Sequence, residues 1–175
     1  MKTNKKIQPI VGILVVLFVI VIIGALYYLN LTETKIAKNP GIKIYFIKGE
    51  KLEQVSRAIS EETNPLEAAA AELMRGPNNT EKQAGIFTEI PVRTKIINIV
   101  REGDAVAVTF NDEIENYGGG SARVQGLVAQ IVYTFTEIPG IKKVKILVGN
   151  KTEVVLGGEG FVIDRPLSRD DLNAR

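Results

Sequence analysis

The chain has no cysteine, no histidine and no tryptophan among its 175 residues. Without cysteine there is no disulfide, no thiol nucleophile and no sulfur to carry a lipid. Without histidine, the usual zinc ligand sets and every triad built on an imidazole base are excluded. The missing tryptophan, with only five Tyr and six Phe, leaves few rings for stacking on sugars. A large charge of one sign is also missing. The formal net charge is +2, and without Lys2, Lys5 and Lys6, which precede the first apolar run, it is −1. A near-neutral domain has no electrostatic footprint for nucleic acid.

What the chain does have is an uncharged stretch from Ile10 to Leu29. As a helix rising about 1.5 Å per residue, it reaches roughly 30 Å, the thickness of a bilayer's hydrocarbon core. Residues 1–9 then form a short cytoplasmic tail, residues 10–29 a single transmembrane helix and residues 30–41 a polar linker. Lysines follow at 35, 38 and 43, but the short basic tail directly before an apolar run resembles an export signal. The tail is therefore expected inside the cell membrane and the C-terminal domain outside. The run is longer than a signal peptide's apolar region, and Gly24-Ala25 is followed by bulky Leu26, Tyr27 and Tyr28. Retention of the anchor is expected, with the two tyrosines at headgroup level.

Residues 42–169 hold the domain, and 170–175 read as a frayed tail. Ile42, Ile44 and Phe46 alternate with Lys43 and Tyr45 as in a strand, and Leu52–Ile59 is a second extended run. Asn64-Pro65 opens a helix whose stripe is Leu66, Ala69, Ala70, Leu73 and Met74; Gly76 and Pro77 end it. Residues 78–94 form a long connection expected to lie on the domain. Lys95–Val100 and Ala105–Phe110 flank the turn Arg101-Glu102-Gly103-Asp104. Ser121 is placed as the cap of the strongest helix, Ala122–Ile138, where Val124, Leu127, Val128, Ile131, Val132, Phe135 and Ile138 fall within an arc of about 140°. Val144–Val148, Thr152–Leu156 and Gly160–Asp164 complete the extended pieces. The order β-β-α-β-β-α-β-β predicts an α+β, two-layer domain, with two amphipathic helices on a mostly antiparallel sheet.

Catalytic and metal-binding patterns fail one by one. Asp112, Glu113 and Glu115 lack the alternating ligands of a calcium loop. Gly157-Gly158-Glu159-Gly160 is followed by an extended piece, so no helix N-terminus faces a phosphate. Ser56, Ser60, Ser121 and Ser168 lack an activating base or a nucleophile elbow. No catalytic residue, cofactor or metal ligand is expected. The remaining candidate is the back of the second helix, where Gly126, Ala129 and Tyr133 lie within about 60° of one another, flanked by Gln130 and Glu137. A mid-helix glycine costs about 1 kcal/mol relative to alanine, which asks for a packing or binding reason.

Several stretches together resemble the GerMN domain of GerM-type sporulation and spore germination proteins. They are Tyr45-Phe46, Val55-Ser56-Arg57, Glu72 to Pro77, Ile90-Pro91, Gln130 to Glu137 and Arg165 to Arg169. The resemblance implies a fold similar to the ring-building motifs of sporulation and secretion channels. It also implies a non-enzymatic role in assembling or positioning envelope complexes. GerM carries two such domains and several relatives are lipoproteins; this chain has room for one domain and no cysteine to lipidate. The expected function is a membrane-anchored, extracytoplasmic interaction or scaffolding module whose partners are envelope proteins or itself. The alternative is a binding module for cell-wall glycan or a small ligand, with residues 78–94 and the glycine-rich loop 118–120 as a rim.

Overall fold

The computed structural model describes residues 15–28, 41–116, 120–151, 154–156 and 161–173. The chain divides into two units, Met1–Asn39 and Pro40–Arg175. In the first, residues 15–28 form helix α1, with every side chain exposed. At about 1.5 Å per residue it is roughly 21 Å long. Among the described residues no helix is long and apolar enough to cross a membrane. The ends of the expected span, residues 10–14 and 29, lie outside the described residues, as do the tail 1–9 and most of the linker.

The second unit is a mixed α+β fold, and its strands do not form one sheet. β1 (Gly41–Lys48) and β2 (Lys51–Ala58) pair antiparallel from Gly41↔Ala58 to Lys48↔Lys51. The two-residue turn between them starts at Gly49, whose φ of 62° a side chain would resist. β3 (Ile86–Phe87) meets β1 only at Ile47 and Lys48. A second sheet runs β4-β5-β6, with β4 (Ile96–Glu102) antiparallel to β5 (Ala105–Phe110) and β5 parallel to β6 (Lys143–Val148). A ribbon of β7 (Val154–Leu156) and β8 (Phe161–Ile163) follows. Among the described residues the expected single, mostly antiparallel sheet is thus three sheets with one parallel pair. Strands joined through a long helix can pair parallel, and alternation along each strand does not record its partner.

Helix α2 (Pro65–Arg75) begins as its sequence dictates, with the Asn64 side chain accepting from the Leu66 N–H and proline in the first turn. Within the long connection lies a helix not anticipated, α3 (Asn79–Gln83). Its capping box is explicit: Asn78 Oδ1 accepts from the Glu81 N–H, and Glu81 accepts from the Asn78 N–H. Helix α4 (Gly120–Phe135) starts before Ser121, so that serine lies in the first turn. The predicted stripe of α4 is buried throughout. The helix also packs against β1, β2, β6 and α2, so Gln130 and Thr134 are buried as well. The expected frayed end forms α5 (Arg169–Asn173), and Leu172 packs on the core. A two-sided bond between Leu167 and Val144 leads the chain into it.

Candidate functional site

The back of α4 is where the sequence placed its one candidate face, and the structure divides those five residues. Gln130 is enclosed, at 0% exposure. Its Oε1 accepts from the Glu89 N–H at 2.7 Å, and its Nε2 donates to Thr88 Oγ1 at 3.0 Å and to the Tyr45 carbonyl at 3.5 Å. One turn on, Thr134 Oγ1 accepts from the Tyr45 N–H at 3.0 Å. Tyr45 lies beyond the reach of β3, so these two side chains stand in for a neighbouring strand. Gln130 therefore belongs to the interior rather than to a surface open to a partner. Periodicity missed this because it registers only apolar positions.

Glu137 sits at the end of the same line. Its carboxylate receives Lys43 Nζ at 2.7 Å, the Tyr45 hydroxyl at 3.1 Å and Arg169 Nη2 at 2.6 Å. These partners, Arg169 first, hold its pKa down to about 2. Arg169 also donates to Thr136 Oγ1 and the Tyr133 carbonyl, and its guanidinium lies 4.7 Å from the Tyr133 ring centre and 5.6 Å from that of Tyr45. Asp171 receives Arg165 and both the N–H and hydroxyl of Ser168, and Arg165 pulls its pKa downward first among them. The Arg169 contacts latch α5 to the end of α4, and those of Asp171 hold the first turn of α5 itself.

A second polar joint ties β2 to the helices. Arg57 meets Glu81 through both terminal nitrogens, at 2.6 and 2.7 Å, and Glu72 through Nε at 3.0 Å. Glu81 is held below its usual pKa, chiefly by this arginine. Most of the short stretches quoted above thus converge on two structural joints.

Gly126, Ala129 and Tyr133 line a cleft of about 590 Å³ bounded by the β1–β2 hairpin, Glu89 and Leu172. A Cβ at Gly126 would stand 3.4 Å from Glu89 Cγ and 3.5 Å from Ile47 Cδ1, ordinary contact distances. Alanine would therefore fit, and a longer side chain would enter the cleft. Glu89, buried, meets the half-exposed Arg123 at 2.9 Å on its wall. Ile47, Leu52, Glu89 and Leu172 come from four other segments, so no local sequence signal could have gathered them.

The acidic candidates, Ser60 and Ser168 have structural partners. Lys151 reaches Glu115 and Asp112, and Arg93 meets Glu113 at 3.2 Å. Ser60 pairs with Thr63. Among the described residues no group of three or more acidic side chains could hold a metal ion. Residues 157–160 and 118–119 lie outside the described residues.

This is a mixed α+β domain in which one long helix closes the edge of a hairpin sheet and its polar side chains serve as internal joints. It belongs to the Germane family, described as sporulation and spore germination, whose model matches residues 25–154. The tandem GerMN domains of the sporulation protein GerM from Bacillus subtilis share 23% identity with a TM-score of 0.57, over 74% of this chain and 45% of that one. This chain thus spans under half of that structure. The first GerMN domain of the same protein aligns over 75% of this chain and 99% of its own, with 21% identity and a TM-score of 0.56. A candidate lipoprotein from Clostridium perfringens shares 25% identity over 75% of this chain and 89% of its own, with a TM-score of 0.55. Among curated proteins no match is found.

Proposed function

We propose that this protein is a membrane-anchored, extracytoplasmic interaction or scaffolding module of the bacterial envelope that performs no catalysis. The observation that carries the reading is the cleft beside α4, kept open by Gly126 and walled by side chains from separate elements. Its mixed lining, with Ile47, Leu52 and Leu172 beside the Glu89–Arg123 pair, suits a protein segment with apolar and polar groups. The uncharged run 10–29 supports the anchor, and the sporulation and germination relatives support the envelope setting.

The test is Gly126→Leu, which fills the cleft from one wall. The full chain in detergent would be offered an envelope extract and purified cell wall, with circular dichroism as the check on folding. The proposal expects wild-type protein to retain envelope proteins and the folded variant to lose them. Equal retention by both rules the cleft out. Retention of cell wall that Gly126→Leu abolishes would favour the glycan reading instead.

A further inference from the structure

We infer that the outer edge of β4 is a self-association surface, to which a second copy of this chain adds its own β4 antiparallel. The edge is open: β4 ends its sheet, and among the described residues no strand pairs with its outer side. Such an edge presents unpaired N–H and C=O groups unless something blunts it. Here the one irregularity is the register shift between Ile96 and Asn98. Ile96 to Val100 contains neither charge nor proline, the charges of β4 being confined to Arg101 and Glu102 at its end, whereas β2, the edge of the other sheet, carries Lys51, Glu53 and Arg57 along its length. Ile97 is 61% exposed and Val100 44%.

Two observations beside the edge point to an occupant. A groove of about 440 Å³ runs between α2 and β4, with Met74, Ile96 and Ile99 among its walls, and can take apolar side chains of an added strand. Thr94 lines the same groove, is 7% exposed, and its Oγ1 has no hydrogen-bond partner among the described residues. An orphaned buried hydroxyl is uncommon in a folded protein, and an arriving backbone could donate to it or accept from it. Charge selects the occupant. Lys95 precedes the strand and Glu102 ends it, while Arg101 is engaged with the Gly103 and Pro139 carbonyls. Antiparallel pairing of two copies brings Lys95 of each toward Glu102 of the other, twice by symmetry. A parallel arrangement would set like charges side by side.

The chain has no cysteine, so a single introduced thiol reports alone. Cysteine would be placed singly at positions 97 to 101 of the full chain in detergent, with Glu53→Cys on β2 as control. Opposed Cα atoms in an antiparallel pair are about 4.5–5.5 Å apart, within disulfide range. Mild oxidation should give a covalent dimer at one or two adjacent β4 positions, roughly tenfold above the control. Adding Ile97→Lys, or Val100→Lys where position 97 carries the thiol, should return that yield to the control level with an unchanged dichroism spectrum. Gly126→Leu should leave it unaltered, which separates this surface from the cleft. Yields at the control level at every β4 position, or yields indifferent to position, overturn the proposal. So does cross-linking to a different protein in place of a second copy.

Discussion

The two main sheets treat their edges in opposite ways. In the first, β1 keeps only a two-residue partner in β3, and Gln130 and Thr134 of α4 take over at Tyr45. Arg57 at the far end of β2 is bound by Glu72 and Glu81. In the second sheet, the inner face is packed as tightly, with Val106, Val108, Phe110, Val144 and Val148 all fully buried, but among the described residues no strand covers the outer edge of β4. An exposed edge is a hazard that native proteins commonly blunt. The difference locates stability in the side-chain joints of the first sheet and leaves the second sheet's edge free for contact.

Breaking the closure at β1 should therefore have the largest effect. Gln130→Leu keeps the volume but leaves the Glu89 N–H and the Tyr45 carbonyl without their partner, while the Thr88 hydroxyl keeps the Ile90 N–H. Unpaired buried groups cost about 1–3 kcal/mol each, and relaxation recovers part of it, so a loss of about 3 kcal/mol is expected in chemical denaturation. A change under 1 kcal/mol would mean that water replaces the side chain and that the edge is not closed by α4. Next comes Arg57→Met, which takes the ion-pair partner from the mostly buried Glu81 and leaves Glu72 only Arg75. It should cost about 2 kcal/mol, and Arg57→Lys should rescue little of it, because an ammonium cannot match the fork geometry.

The α5 latch gives a smaller, pH-dependent term. Glu137 has its pKa lowered to about 2. A depressed carboxylate contributes stability that is full above its unfolded value, near pH 4.5, and is lost as the pH falls toward 2. The difference in unfolding free energy between wild type and Glu137→Gln should be about 1 kcal/mol at pH 7 and shrink over that window. A difference constant from pH 7 to 2 would show that the ion pairs do not hold α5.

The contrast between edges also explains what could be read from the residues alone. Asn64-Pro65, the apolar stripe from Val124 to Ile138 and the alternation in β1 and β5 are local patterns, and each stands where expected. The Asn78–Glu81 capping box was equally local but lay inside a stretch treated as connection. Strand partnership is not local: nothing in Lys143–Val148 states that it runs parallel to β5. Nor does a polar residue on a helix announce that it closes a strand edge, so Gln130 read as surface. The cleft was half legible, through an unexplained glycine, because its opposite wall comes from distant segments.

That glycine supplies a prediction of the opposite sign. An alanine at position 126 would meet its neighbours at 3.4 Å or more, and the backbone there is helical. Gly126→Ala should stabilise the domain by about 0.5–1 kcal/mol in thermal unfolding. Destabilisation would mean that the α4 wall is packed too closely for any side chain, and that the cleft is incidental to tight helix–hairpin contact.

The smallest effect is expected at the edge left open. The Ile97 side chain is largely exposed, and the register of β4 against β5 shifts between Ile96 and Asn98, so Ile97 has no partner in the ladder. Replacing it removes no core contact, and the other edge of β4 keeps its bonds to β5. Ile97→Lys should therefore change the unfolding free energy of the monomer by under about 0.5 kcal/mol. Measured at low protein concentration, where association is negligible, that near-neutrality is what separates a surface kept apolar for contact from one kept apolar for folding. A loss of about 2 kcal/mol in the monomer would place Ile97 among the residues that hold the domain together. The two sheets would then differ in how their edges are stabilised, rather than in whether they are.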